Sequence, residues 1–305
     1  MKKTGLIILI VICLIVFLTT LTGGVLLTIR TIGWERLLDQ SQVQNRFDAL
    51  YEQFGFPEEW SLRRQSFSID EQLTLDLTGI QTIEIKGISE SIVVRPTAGA
   101  GSAVLTGTYR ARSPIRWIAE TQGDILKIYT DWPRFGALFS DLSIHVDIPR
   151  SFAGSVKINS VSGTVTLPDR QADWQALTIG TVSGGIRVEN ASFADISASS
   201  VSGAIALRQI RGTVSSKTTS GSITLHYLTF QASVIRTVSG SVELSIPVDS
   251  SVQVNYTTVS GSFRNQDIPL TVISQSSRKM EGQIGTGKLP LSVATTSGDL
   301  LIKGH

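Results

Sequence analysis

Hydrolysis of a glycan needs two carboxylates a few ångströms apart, and calcium-assisted cleavage needs a cluster of acidic ligands. The second half of this chain offers Asp169, Asp173, Glu189, Asp195, Glu243, Asp249, Asp267, Glu281 and Asp299 for such work. Their spacing follows no period. Asp169 and Asp173 stand close together, in a stretch that reads as a solvated loop. The histidines, His145, His226 and His305, fall on separate segments, with neither metal-ligand spacing nor a nucleophile–base pair. Glycine-rich calcium repeats are absent too, because no aspartate follows glycine at a fixed offset. No catalytic, cofactor-binding or metal-binding residue is assigned, binding residues stay unassigned, and the chain reads as non-enzymatic.

The elements that would position these side chains come from a repeat. Ser-Gly recurs seven times, as Ser162-Gly163, Ser183-Gly184, Ser202-Gly203, Ser220-Gly221, Ser239-Gly240, Ser260-Gly261 and Ser297-Gly298. The glycines step by 21, 19, 18, 19, 21 and 37 residues, so the last interval is close to two ordinary steps. A period near 19 residues is the length of a solenoid coil.

Aligned on glycine, the second position after it reads Val165, Ile186, Ile205, Ile223, Val242, Phe263 and Leu300. The fourth reads Leu167, Val188, Leu207, Leu225, Leu244, Asn265 and Ile302, an apolar column that only Asn265 breaks. Small or polar residues such as Ala204 and Thr166 lie between, which is the period-two pattern of a strand with one wet face. A second strand precedes the glycine, with Val156, Leu177, Ile196, Val214, Ser233, Val254 and Leu291 in one column and Ile158, Ile179, Ala198, Ser216, Ile235, Tyr256 and Val293 in the next. Each unit therefore reads strand, Ser-Gly corner, strand, loop, with glycine letting the chain turn and the next coil approach closely. Such a unit has one apolar stripe and two open backbone edges, so it must stack on its neighbours, with parallel strands about 4.8 Å apart. Ser160, Thr181, Ser200, Thr218, Thr237, Thr258 and Thr295 then form a ladder of hydroxyls able to bond to the next coil. Corner geometry, rather than a row of ligand sites, accounts for the Ser-Gly motif.

Thr-Val-Ser-Gly followed by alternating β-branched residues, together with the closing runs Gly282-Gln283-Ile284-Gly285-Thr286-Gly287 and Thr295-Thr296-Ser297-Gly298-Asp299-Leu300, resembles the bacterial putative-adhesin β-strand-repeat family, a domain of unknown function. The resemblance covers roughly residues 70–305. It implies an envelope-associated β-solenoid without established catalytic residues. The repeat expected near Met280 has lost its Ser-Gly, which predicts a distorted coil or a looped-out turn there.

Location is read from the amino terminus. Residues 4–29 carry no charge, a run longer than the roughly 7 to 15 apolar residues of a signal peptide and long enough for the roughly 20 that span a membrane. No small-residue cleavage pattern follows it, and Cys13, the one cysteine, lies mid-run without a lipoprotein context. Lys2, Lys3 and the amino group before the span outweigh Arg30 and Arg36 after it, which Glu35 partly offsets, and this favours a cytoplasmic N-terminus. The expectation is a single-pass anchor in the cytoplasmic membrane, with the C-terminal domain outside. Trp34, Leu37, Leu38, Phe47, Leu50, Tyr51 and Phe54 recur at helical spacing, giving an amphipathic helix over 33–54 that lies on the membrane or a partner, or caps the first coil.

The chain thus divides into an anchor (1–30), a juxtamembrane helix and linker (31–66), and a solenoid with irregular opening coils (67–150) and regular coils (151–305). Trp132-Pro133-Arg134-Phe135-Gly136 reads as an excursion from the opening coils, packed locally. The fold class is all-β: a parallel β-solenoid, β-helix-like, of about 19-residue coils behind a transmembrane and a short amphipathic helix. With 27 Lys+Arg against 25 Asp+Glu there is no basic patch, so nucleic acid is not a partner. The expected partners are membrane lipid, through the N-terminal helix, and an envelope protein or glycan. The function class is an adhesion, scaffold or envelope-stress accessory module, with a polysaccharide-binding or polysaccharide-cleaving β-helix as the alternative.

Overall fold

Alternating β-branched and polar residues produce 22 strands and no helix among the described residues, which are 65–132, 139–168, 174–190 and 192–305 of a computed structural model. The predicted membrane span, the amphipathic helix, residues 133–136 of the aromatic excursion, and Asp169 with Asp173 lie outside them. The opening strands are β1 (Gln65–Leu75), β2 (Thr82–Lys86), β3 (Ser91–Thr97), β4 (Gly101–Ala111), β5 (Arg116–Gln122), β6 (Ile125–Asp131) and β7 (Phe139–Pro149). The regular coils contribute β8 (Ser155–Ser160), β9 (Val165–Leu167), β10 (Ala176–Thr181), β11 (Ile186–Glu189), β12 (Ser192–Ser199), β13 (Ile205–Lys217), β14 (Ile223–Tyr227), β15 (Ser233–Arg236) and β16 (Val242–Ile246). Last come β17 (Val252–Thr257), β18 (Phe263–Gln266), β19 (Leu270–Gln275), β20 (Lys279–Ile284), β21 (Leu289–Ala294) and β22 (Leu300–Gly304).

Each coil places one strand in each of two walls. Strands before the corner build the wall β5–β6–β2–β8–β10–β12–β13–β15–β21–β17–β20–β19. Strands after it build β1–β4–β7–β3–β9–β11–β13–β14–β16–β22–β18. The coils pair in parallel through the middle, as the repeat requires. Both ends turn antiparallel: β5, β4 and β1 close one end, and β20 with β19 extends one wall at the other. The purely parallel solenoid read from the sequence is thus a mixed sheet, because antiparallel hairpins cover the outermost coils. β13 belongs to both walls and joins them, running through the expected loop past Gln209 (φ 51°) and Gly212 (φ 117°).

The predicted columns are inward as read. Ile205 is buried and Ala204 exposed, and the aliphatic residues of both walls form one continuous core. The hydroxyl column is buried as well, and its members have two uses. Ser200, Thr218, Thr237 and Thr258 accept the N–H of the glycine three residues on, at 2.8–3.1 Å. Between coils, Thr181 donates to Ser200 and Thr295 to Thr258, both at 3.0 Å.

Coil order departs from chain order. The long last interval is not two coils stacked in sequence. Residues 270–284 leave the stack as the β19–β20 hairpin, and the final coil, β21–β22, inserts between β15–β16 and β17–β18. The apolar columns of that coil match either neighbour, so pairing alone does not enforce chain order. Asn265 breaks its column because β18 is the last strand of its wall, where the core ends.

The corner glycine also has a different cause from a turn. None of the seven has a left-handed φ. Instead, a Cβ on Gly163, Gly184, Gly203, Gly221, Gly240, Gly298 or Gly261 would lie 1.7–2.1 Å from a carbonyl oxygen of the preceding corner in the stack. Close coil contact, not flexibility, demands glycine.

Candidate functional site

None of the described acids meets another across a strand register. Asp195 accepts from Thr213, Glu281 pairs with Lys279, and Glu243 pairs with Lys303 at 2.6 Å. Asp299 accepts the Ser262 N–H at 2.7 Å, which holds its carboxyl below the usual range. Glu189 stands opposite Arg208. Asp195, Glu243, Glu281 and Asp299 are thus engaged locally, and no strand register sets two acids opposite each other.

Two histidines do come together. His226 and His305 stack with ring centroids 4.4 Å apart, and Ser245 Oγ lies 2.9 Å from His305 Nδ1. Burial first, and the neighbouring His305 second, hold His226 below the ordinary imidazole range. No local pattern signals this pair, because it forms only when β22 returns beside β16 and carries His305 toward His226. Two rings do not make a metal centre, and no group of three ligating side chains exists among the described residues.

The corners form a ridge. In stack order Ile88, Val161, Val182, Val201, Thr219, Val238, Thr296 and Val259 run along it, and the aliphatic members are 46–60 % exposed. Each carbonyl of this row from Val161 to Thr296 accepts two backbone N–H groups of the next corner. The serine hydroxyl reaches the same oxygen, from Ser162 to Ile88 at 3.1 Å and from Ser239 to Thr219 at 3.4 Å. The serines are therefore used in stacking, as expected from corner geometry.

Two carboxylates that the sequence reading passed over sit in the opening coil β2–β3. Glu84 faces outward between Lys86 (3.2 Å) and Lys157 (3.1 Å). Burial pushes its carboxyl up, but the hydrogen bonds and charges of the two lysines outweigh this and leave it lowered. A lowered carboxylate contributes stability above its unfolded value of about 4.5, and that contribution is lost as pH falls through the folded value. Glu84→Gln should therefore lower the thermal midpoint slightly at pH 7, and the gap to wild type should close below about pH 4.5. Thermal melts at both pH values check this.

Glu90 occupies the glycine column one coil before Gly163 and is fully buried. Its Oε2 accepts the Ile88 and Ser89 N–H groups at 2.5 and 2.9 Å, and its Oε1 accepts Thr130 Oγ1 and Trp132 Nε1 at 2.5 and 3.1 Å. Trp132 also packs edge-on against Tyr109, at 6.1 Å between centroids. This aromatic is thus part of the packing, as the sequence suggested. The signal for Glu90 was present: Ile83, Ile85, Gly87, Glu90, Ile92 and Val94 repeat the spacing of a coil with glutamate in place of glycine.

At the closing end the walls are unequal. β18 ends one wall, while the other continues through β20 and β19. A half-open cleft of about 250 Å³ results, lined by Tyr256, Phe263, Met280, Gln275, Ser276 and Lys279 among others.

A family model described as Toastrack DUF4097 matches residues 140–303, more than half of the 305-residue chain. No curated protein matches the sequence. Among solved structures, a putative cell adhesion protein from Clostridium sporogenes is similar at 11% identity, covering 78% of this chain and 100% of its own, with a TM-score of 0.39. A putative adhesin from Parabacteroides distasonis is similar at 10% identity, over 79% and 97% of the two chains, with a TM-score of 0.41. A putative lipid binding protein from the same species is similar at 17% identity, over 77% and 96%, with a TM-score of 0.39.

Proposed function

We propose that this chain, which belongs to the Toastrack DUF4097 family, is a non-enzymatic adhesion or scaffold module that a single N-terminal helix holds in the cytoplasmic membrane, with the β domain outside. The observation that carries the non-enzymatic reading is the fate of the acids. Asp195, Glu243, Glu281 and Asp299 are each engaged with a hydroxyl, a lysine or a backbone N–H, and no register sets two carboxylates opposite each other. The uncharged run over residues 4–29, flanked by Lys2 and Lys3, supports the anchor and its orientation.

The test assays the full chain in detergent against envelope glycans, with Asp169, Asp173, Glu243 and Asp299 replaced singly by Asn or Gln. No turnover by wild type, and an unchanged envelope phenotype in each variant, is expected. Loss of one catalytic carboxylate removes at least about 10²-fold in rate. Turnover that one of these substitutions abolishes would overturn the reading in favour of a polysaccharide-cleaving β-helix.

A further inference from the structure

β18 is an edge strand with a recess beside it. β18 pairs with β22 on one side, and among the described residues no strand pairs with its other side. Leu300 donates its N–H to the Ser262 carbonyl. In a parallel ladder of that register, Arg264 spends its N–H and C=O on β22, while those of Phe263 and Asn265 point outward, unpaired. Beyond this edge the opposite wall runs on for two strands, a width of about 10 Å. Its inner face there carries Met280 and Val272, which the register sets on the same face as Tyr256 and Val254. Val272 is 45% exposed because no strand of the shorter wall lies over it.

Two features select the occupant. The first is shape. A second copy pairing β18 with β18 across a two-fold axis centred on Arg264 would set that arginine directly opposite its equivalent, where like charges repel. One or two extended strands fit the recess instead. The second is charge. Arg264, on the outer face of β18, and Arg278, at the hairpin tip, are exposed. Of the nearby carboxylates, Glu281 pairs with Lys279, and Asp299 accepts the Ser262 N–H and feels the Arg264 charge without forming an ion pair with it. An acidic side chain opposite Arg264 would give that exposed cation a direct ion pair.

We propose that β18 receives an extended, acidic segment of a partner protein as an added strand, with alternate apolar side chains of that segment entering the recess over Met280 and Val272. Strand addition supplies affinity through the backbone groups of Phe263 and Asn265, and Arg264 with the recess supplies selectivity. This deepens the binding-module reading and rests on it.

The probe is a fluorescent nine-residue peptide alternating threonine and valine with a central outward aspartate, and a second peptide carries lysine at that position. Full-length protein in detergent should bind the aspartate peptide in fluorescence anisotropy. Asn265→Pro removes an outward N–H without touching the ladder to β22, so it should weaken binding at least about tenfold while the thermal midpoint holds. Arg264→Glu, a surface change that leaves folding intact, should reverse the preference toward the lysine peptide and decides the matter if the proline variant misfolds. Equal binding by wild type and a folded Asn265→Pro, or no binding of either peptide by wild type, overturns the proposal. A cell-surface cross-link to a protein that persists in Asn265→Pro also overturns this site while leaving the binding-module reading standing. Glycan turnover, read separately, would bring down both.

Discussion

Gly184→Ala should destabilise the β domain by about 3–5 kcal/mol, whereas Gly185→Ala, one residue along, should change its stability by no more than about 0.5 kcal/mol. The two glycines are adjacent and neither has a left-handed φ, so backbone preference does not separate them. What separates them is contact with the neighbouring coils. A Cβ at Gly184 would sit 2.0 Å from the Gly163 carbonyl oxygen and 2.8 Å from its carbon, with backbone rather than a flexible side-chain tip in the way. Relief requires the coils to part by about 1 Å, which stretches the flanking hydrogen bonds of Val182 and Ser183 to the Val161 carbonyl, now 3.1 and 2.8 Å. A Cβ at Gly185 would meet nothing nearer than the Ala204 carbonyl at 3.7 Å, an ordinary contact. There alanine also narrows the unfolded ensemble, so a slight gain is within range. Urea unfolding midpoints of the two variants check this, and equal midpoints would mean that the corners are not in contact as described.

That contrast shows what the sequence made legible. Period-two alternation told which residues of each coil face inward, because burial alone separates Ile205 from Ala204. It also placed the hydroxyl column, since every unit carries Ser or Thr three residues before glycine. Order along the stack was not legible. Val293 and Leu300 suit a place beside Ile235 and Val242 as well as one beside Tyr256 and Phe263, and the final coil takes both by intercalating. The recess was hidden for the same reason. It follows from unequal wall lengths, and these depend on where residues 270–284 leave the stack. Asn265 was the one clue, a polar residue in a core column, and it marks the last strand of a wall. The His226–His305 pair likewise depends on the path of the chain end, which no local pattern encodes.

Glu90→Ala should cost about 3–5 kcal/mol, and Glu90→Gln distinctly less. Wherever Ser-Gly corners stack, the preceding corner presents a carbonyl to the glycine. Glu90 stands where that ladder begins, and its carboxylate answers four donors instead: two N–H groups of its own corner, at Ile88 and Ser89, and two side chains of the neighbouring β6 coil, Thr130 and Trp132. Alanine leaves all four without an acceptor inside the protein, and buried donors cost about 1–3 kcal/mol each before relaxation, not additively. Glutamine keeps one acceptor oxygen and turns an NH₂ toward the other pair of donors, so it should recover part of the loss. Trp132→Phe removes one donor from a satisfied network and should cost about 1–2 kcal/mol, because the carboxylate keeps three partners. Denaturant unfolding of the three variants gives the ranking. If Glu90→Ala proves no worse than Trp132→Phe, the carboxylate does not hold the opening coil to the repeat.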